Sequence, residues 1–529
     1  MARGFRRVFA RKIDVTKRVP SVVWARDLHP EYWFMSRFYV ACDLGQEQGR
    51  VMMGALHRDQ LIISEGHCFP NRAVQGKDGL QWDVPHLYQQ LLEGLRGAGA
   101  YDEPVDGVSC SSWAGDYLLF DKNGALLPPA FRGDARTGGM EKMLADVSWE
   151  EVYEETGIAK IPDTTLFQLG AEHPRRLKKA TYLLPVADGF NYLLTGVPRV
   201  EVTSASPTQL FDPEGNAWSG YLMKKLKIRS DLFPSIVPSG TLLGPLREEI
   251  AKDTRLAEAK VVASCSHSLA AALAGLTAAE GERSAYLRQG TFAIMGAQLE
   301  APLVNDLSRD LDFTNELGYM GSVCFHKRLP GLWVYEACQR IWEKENRQFD
   351  LDLLTHIASA ATPFESLINL TDPRFEQPED MPLKIQAFCK ETNQEVPRKP
   401  GQIFRCILES MALFYRKTLQ QIEYLTGSHI ERLYLLGDGA NDLLNHFIAN
   451  ALQVPVVIVS PNAAAVGNIV VQALALGHLQ SIEQGREMVR KALNAQTITP
   501  HPAAWGDAYD RFEALTAEPP AASAAEAPA

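Results

Sequence analysis

Val261-Val262-Ala263-Ser264-Cys265-Ser266-His267-Ser268-Leu269-Ala270, continued by Ala271-Ala272-Leu273-Ala274-Gly275, is the stretch on which the reading of the fold turns. Its β-branched residues predict a short strand, its polar centre a tight turn, and its Ala/Leu run a helix closing at Gly275. Hydroxyls, a thiol and an imidazole are thereby gathered where a helix begins. The free N–H groups and positive dipole end of such a terminus favour a phosphate or a polar substrate. Ser266 and Ser268 are equally ordinary N-cap residues, so the segment alone leaves both readings open.

Around that stretch the chain is long, at 529 residues, which predicts two domains plus tails. Hydrophobic residues make up 46% and aromatics 9%, as in a globular protein, and no apolar run reaches the length of a membrane span. A formal charge of −11 argues against nonspecific nucleic-acid binding and points to no protein partner. The eight cysteines are scattered without paired ligand spacing, which fits a reduced, cytoplasmic compartment and disfavours a structural zinc site.

Residues 1–34 form a basic extension, read as a disordered arm or a start-site artefact. From Phe38 onward, apolar runs at 38–42, 51–56 and 60–64 predict a strand meander. A helix near 86–97, strands at 107–110 and 117–120, and helices at 139–146, 149–156 and 179–195 follow. The charged, aperiodic stretch 240–258 sets the expected boundary between a first domain, 35–257, and a second, 258–485. The second half restarts with strands at 259–264, 284–288 and 291–298. Helices at 331–345, 380–392 and 400–427 follow, then a strand-turn-helix at 431–452, a strand at 454–459 and a helix at 464–477. Residues 486–529 are read as a C-terminal helix and an Ala/Pro-rich disordered tail.

Several segments together carry a resemblance: Thr165-Leu166-Phe167-Gln168-Leu169, Pro207-Thr208-Gln209-Leu210, Gly331-Leu332-Trp333, Asp372-Pro373-Arg374-Phe375 and Gly467-Asn468-Ile469. With the 264–268 turn, they resemble the FGGY carbohydrate kinases, and most closely the rhamnulokinases among them, over about residues 36–480. The resemblance implies an α/β fold of two actin-like, ribonuclease H-fold domains. It also implies an interdomain cleft with sugar on the first domain and nucleotide on the second. The substrates it implies are a ketose and ATP, with magnesium as cofactor.

The turn of the family reads His-Asp-Thr, and its Asp is the general base. His267 is kept here, and Ser268 stands at the Asp position. Asp43-Leu44-Gly45-Gln46-Glu47-Gln48-Gly49-Arg50 resembles the family's phosphate hairpin. It keeps Asp43, a candidate magnesium ligand, with Gly45, Gly49 and Arg50. Glu47 replaces a small hydroxyl residue there. An unshielded carboxylate about 4 Å from a phosphate costs on the order of 4 kcal/mol at an effective dielectric near 20. An ordinary solvated hairpin tip accounts for Glu47 as well.

On the sugar side, Ser111-Ser112-Trp113-Ala114-Gly115-Asp116 is similar to Asp-Thr-Trp-Gly-Val-Asp, so Trp113, Ala114 and Asp116 are candidate substrate residues. Arg132, Asp134 and Arg136 fit either a sugar site or a structural ion-pair network. Arg288-Gln289-Gly290-Thr291-Phe292 is similar to a phosphate-contacting loop, with Gly290 and Thr291 retained and Arg288 free to bind phosphate or neutralise Glu47. Arg328 falls where the resemblance implies a sugar-binding Asn, and Glu336 where it implies a nucleotide-binding Gln. Gly437-Asp438-Gly439 keeps part of a glycine turn that admits adenine, although Asp438 as a helix cap explains the same residues.

The scaffold keeps the family pattern, whereas the base, the phosphate hairpin and the sugar contacts depart together. The resemblance therefore implies a ketose-kinase-like protein with impaired catalysis, since losing a positioned base costs about 10²–10⁴-fold. The alternative is an active ketose kinase of altered specificity that uses a substitute base such as His267.

Overall fold

The computed structural model describes residues 36–101, 103–133, 136, 138–279, 281–437, 441–492, 495–501 and 504–517. The basic extension and all but the first residue of the Ala/Pro tail from Ala517 lie outside them. So do Asp134, Asp438 and Gly439.

The first sheet is built from β1 (Arg37–Leu44), β2 (Gln48–His57), β3 (Gln60–Pro70), β4 (Val105–Ser112), β5 (Thr241–Pro245) and β6 (Lys260–Ala263), in the order β5-β6-β4-β1-β2-β3. The first three strands form the expected antiparallel meander, and β4 joins β1 in parallel. β1 is buried along nearly its whole length because helices cover both faces of the sheet. On one face lie α1 (Val84–Ala98) and α2 (Val186–Thr195).

The second sheet comprises β7 (Ser284–Arg288), β8 (Phe292–Leu299), β9 (Phe313–Leu317), β10 (Val323–Pro330), β11 (Arg432–Leu436), β12 (Val456–Ile458) and β13 (Gln496–Ile498), in the order β9-β10-β8-β7-β11-β12-β13. It carries α3 (Ser268–Ala274) on one face, where Leu269 and Leu273 meet Tyr286 and Tyr434. Farther along the chain come α4 (Trp333–Lys344), α5 (Pro400–Thr426), which packs on β8, and α6 (Asp442–Leu452), which packs on α5.

The two sheets communicate through a helix crossing. α7 (Ala463–Ala475) lies on the first sheet, packing Val466 and Ile469 against Tyr39 and Met52, although it comes from the end of the chain. It crosses α3 at backbone contact, where a Cβ on Gly467 would fall 1.8 Å from the Ala271 carbonyl oxygen. The order of layers is therefore helices, first sheet, α7, α3, second sheet, helices.

Three sequence expectations are corrected. Residues 260–263, assigned to the second domain, form β6 and pair in parallel with β4 of the first sheet, so the division at 257/258 cuts through that sheet. The helix expected over 179–195 begins only at Val186. Tyr182–Pro185 is a strand paired with Tyr117–Phe120, because Pro185 disfavours helical backbone just before it. The C-terminal helix starts at Ile482 rather than 486, and Trp505–Thr516 adds a further helix whose Phe512 meets Phe414.

Candidate active site

β6 delivers the turn 264–267 into the space between the sheets, and the first domain fixes it there atom by atom. The Ser266 carbonyl accepts the Ser112 amide at 2.9 Å, and the Ser266 amide donates to Glu201 at 2.8 Å. The Ser266 hydroxyl donates to Asp188 at 2.7 Å, and the His267 amide donates to Thr203 Oγ1 at 3.1 Å. Burial pushes the carboxyls of Asp188 and Glu201 up to about 7, the Asp188 charge adding to the rise of Glu201. Ser266 is thus a structural residue, and neither supporting carboxyl was evident from sequence.

Ser268, the first residue of α3, points across to β1. Its hydroxyl donates to Asp43 Oδ1 at 2.8 Å, and Ser111 at the end of β4 donates to the same oxygen at 3.1 Å. Burial pushes the Asp43 carboxyl above its ordinary value, an effect partly offset by these two hydroxyls and by Arg50 and Arg288. Asp43 is then a poor fit to the magnesium role: one oxygen is already doubly occupied by hydroxyl donors. No group of three His, Cys, Asp or Glu able to hold a metal ion occurs among the described residues. The donor set does not suit an ion held between protein carboxylates.

His267 is buried, and its Nδ1 lies 3.2 Å from Glu316 Oε2 of β9, a close approach without an aligned hydrogen bond. His326 Nε2 approaches the other Glu316 oxygen at 3.8 Å. Burial alone would raise Glu316, but His326, His267 and Arg288 outweigh it and hold the carboxyl at about 2. Burial pushes His326 down. Glu316 escaped the sequence reading; it is the one acid in Phe313-Thr314-Asn315-Glu316-Leu317, a strand buried along its whole length.

The phosphate hairpin joins β1 to β2, with the Gly45 amide donating to the Gln48 carbonyl at 2.9 Å. Gly49 has a packing reason of its own, since a Cβ there would fall 2.3 Å from the Phe69 ring. Arg50 donates to Asn462 at 2.9 Å and lies 3.8 Å from Glu65, tying the hairpin to the start of α7. Glu47 is exposed at the tip, and among the described residues it forms no ion pair, with Arg288 or any other.

On the sugar side, Asp116 is an anchor. It accepts from Trp82 Nε1 at 2.6 Å, Trp113 Nε1 at 2.8 Å, Gln168 Nε2 at 2.8 Å and the Gly133 amide at 2.9 Å. Burial pushes its carboxyl up to about 6 against the pull of those donors. Trp113 is thereby held against Trp82, ring centroids 4.6 Å apart, with Ala114 following it half-buried. Arg136 belongs to a structural network, 3.0 Å from Glu172, which Arg176 also reaches at 2.7 Å.

In the second domain, Thr291 donates to Glu336 at 3.0 Å, and the Leu332 amide donates to the Gly290 carbonyl at 2.9 Å, so these expected nucleotide residues meet. Gly437 follows β11 with φ +108°, a backbone open to glycine. Arg328 stacks on Phe292 at 4.1 Å and reaches Asp163 of the first domain at 3.5 Å. It lines a cavity of about 560 Å³ shared by both domains, with Lys160, His326, Trp333, Leu370 and Phe375. Of the expected sugar residues only Arg328 lines it. The segments 159–162 and 370–376 in its wall were read from sequence as scaffold or not at all.

Residues 38–275 match the FGGY family of carbohydrate kinases, N-terminal domain, and residues 285–476 match its C-terminal domain. A rhamnulokinase of Bacteroides thetaiotaomicron is 34% identical over 486 residues, covering 90% of this chain and 99% of that protein. A rhamnulokinase of Ligilactobacillus salivarius is 32% identical over 467 residues, covering 87% and 95%. Among solved structures, a gluconate kinase from Lactobacillus acidophilus superposes with a TM-score of 0.75 at 14% identity, over 91% of this chain and 97% of that one. A xylulose kinase from Rhodospirillum rubrum gives 0.73 at 17% identity, over 90% and 98%. At such identities these structures speak for the fold alone, the two-domain α/β architecture of actin-like kinases. Both halves of the fold and the full-length relatives agree: this chain belongs to the FGGY family of carbohydrate kinases.

Proposed function

We propose that the chain binds a ketose of the rhamnulose class and ATP between its two domains, and that phosphoryl transfer between them is impaired. The substrates are those of the relatives named rhamnulokinase. The impairment rests on one observation. The hydroxyl at position 268, where a carboxylate base is expected, donates its proton to Asp43 at 2.8 Å, and its oxygen, although able to accept a hydrogen bond from a sugar hydroxyl, is too weakly basic to take the proton. Exposed Glu47, without an ionic partner among the described residues, adds repulsion toward nucleotide phosphates. Magnesium is not given a protein-held position in this reading. The compartment proposed is the cytoplasm, consistent with eight unpaired cysteines. Among the described residues no helix is long and apolar enough to cross a membrane.

A second reading is favoured by the contact of His267 with Glu316. A carboxylate that accepts from Nδ1 orients an imidazole and leaves Nε2 as the acceptor; Glu316 lies within reach of that role, and the bond would have to align when substrate binds. Calorimetric titration with L-rhamnulose, run beside an ADP-release assay on the same preparation, separates the two. Ketose binding with turnover at least about 100-fold below an ordinary sugar kinase supports impairment. Full turnover that follows an imidazole titration and disappears in His267→Gln supports the second reading. Absence of both ketose binding and turnover contradicts both.

A further inference from the structure

ATP-dependent phosphoryl transfer relies on positive charge around the phosphates, ordinarily a divalent ion held by one or two carboxylates. In this cleft Asp43 is the carboxylate at the base of the hairpin, and its Oδ1 already accepts from Ser111 and Ser268. A protein cation stands nearby. Arg288 ends β7, paired in register with Leu436 of β11 on one side and Ile294 of β8 on the other. Leu436 runs directly into Gly437, and Arg288 itself runs into Gln289-Gly290-Thr291, so one residue sits at the strand ends that carry both expected nucleotide loops.

Arg288 keeps exposed surface, while the protein packed around its guanidinium holds it below its ordinary value. It acts electrostatically on Asp43 of the first domain and on Glu316 of the second, yet forms a hydrogen bond or ion pair with neither. Beside it the Gln289 amide is buried with both polar atoms unpartnered. A guanidinium folds readily onto an adjacent carboxylate; one that stands between two acids unattached keeps its planar fork available for an anion supplied from outside, and phosphate oxygens match that fork.

We propose that Arg288 grips the phosphates of the bound nucleotide and supplies charge that a divalent ion would otherwise provide, so that nucleotide binds with little dependence on magnesium. This rests on the nucleotide reading of the cleft. Binding of ATP to the full chain, titrated calorimetrically in excess EDTA and in excess magnesium chloride, tests it, with Arg288→Ser and Arg288→Lys alongside. The expected result for the parent is affinity in EDTA within about threefold of that in magnesium. Arg288→Ser should weaken binding in EDTA by about tenfold or more, with a smaller loss in magnesium, and Arg288→Lys should recover part of it. The melting temperature of Arg288→Ser should match the parent's, because the side chain forms no hydrogen bond or ion pair among the described residues; a fall of several degrees would mark Arg288 as structural and count against the proposal. Equal magnesium dependence in parent and Arg288→Ser overturns it while leaving the nucleotide reading intact. Failure of ATP to bind the parent in either medium overturns both.

Discussion

Adding one methyl group at Gly467 should destabilise the molecule and dislodge Ser268, although the same change in an open helix stabilises. Gly467 lies inside α7 and faces α3, and the space a Cβ would enter is occupied by backbone. The built atom falls 1.8 Å from Ala271 O, 2.8 Å from Ala271 C and 2.8 Å from Gly275 N. An ordinary carbon–oxygen contact is about 3.3 Å, so the helices must part by roughly 1.5 Å. No side chain can rotate to absorb this. α3 cannot retreat easily either, because Leu269 and Leu273 are buried in the face of the second sheet.

Overpacking of this kind costs about 1–3 kcal/mol, and more where backbone must move, whereas Gly→Ala in a helix interior gains about 1 kcal/mol. The expected net loss is about 2 kcal/mol, visible as a fall of several degrees in melting temperature. Because α3 begins at Ser268, a shift of that size also breaks its 2.8 Å bond to Asp43. Gly506→Ala is the control, as its site, in the Trp505–Thr516 helix, has nothing within 4 Å, and it should hold or raise the melting temperature. Stabilisation by Gly467→Ala would refute the close crossing and the rigid link between the two sheets.

Asp116→Asn leaves one acceptor oxygen for two pairs of donors, so Trp82 and Trp113 lose their partner or Gly133 and Gln168 lose theirs. Tryptophan emission should shift to the red and ketose affinity should fall by tenfold or more, on the order of one lost buried hydrogen-bond pair; unchanged emission would contradict the anchoring role. Glu172→Gln strands Arg136 and Arg176 in a buried site and should cost about 3–5 kcal/mol at neutral pH. Burial opposes ionisation of Glu172, but the two arginines outweigh it and hold its carboxyl below the ordinary 4.5. That contribution is present above 4.5 and lost as pH falls through the lower folded value, so denaturation curves of parent and variant should converge in acid.

The strands of the meander and the long helices were legible because their burial is periodic along the chain. Residues 260–263 were misassigned because sheet membership depends on pairing with Val105–Ser112, some 150 residues away, which no local pattern encodes. Tyr182-Leu183-Leu184 fits a buried helix as well as a strand, and only its partner strand decides. At the site, sequence found positions more readily than roles. Ser266, Arg50 and Asp116 carry site-like chemistry but spend it on holding the turn, the hairpin and two indoles. Glu316 has no motif around it, and its importance exists only once His267 is brought beside it in space.

Ser268→Asp bears most directly on the claim that this cleft lacks a base. The variant restores a carboxylate at the start of α3 and sets a second acid beside Asp43, the pairing suited to a magnesium ion. ADP release should be measured with ATP, magnesium and L-rhamnulose, parent against variant. Negligible ketose-dependent release by the parent and a rise of about 100-fold or more in the variant is the predicted result. Ketose-dependent turnover in the parent that Ser268→Asp leaves unimproved would contradict it and pass the role of base to His267.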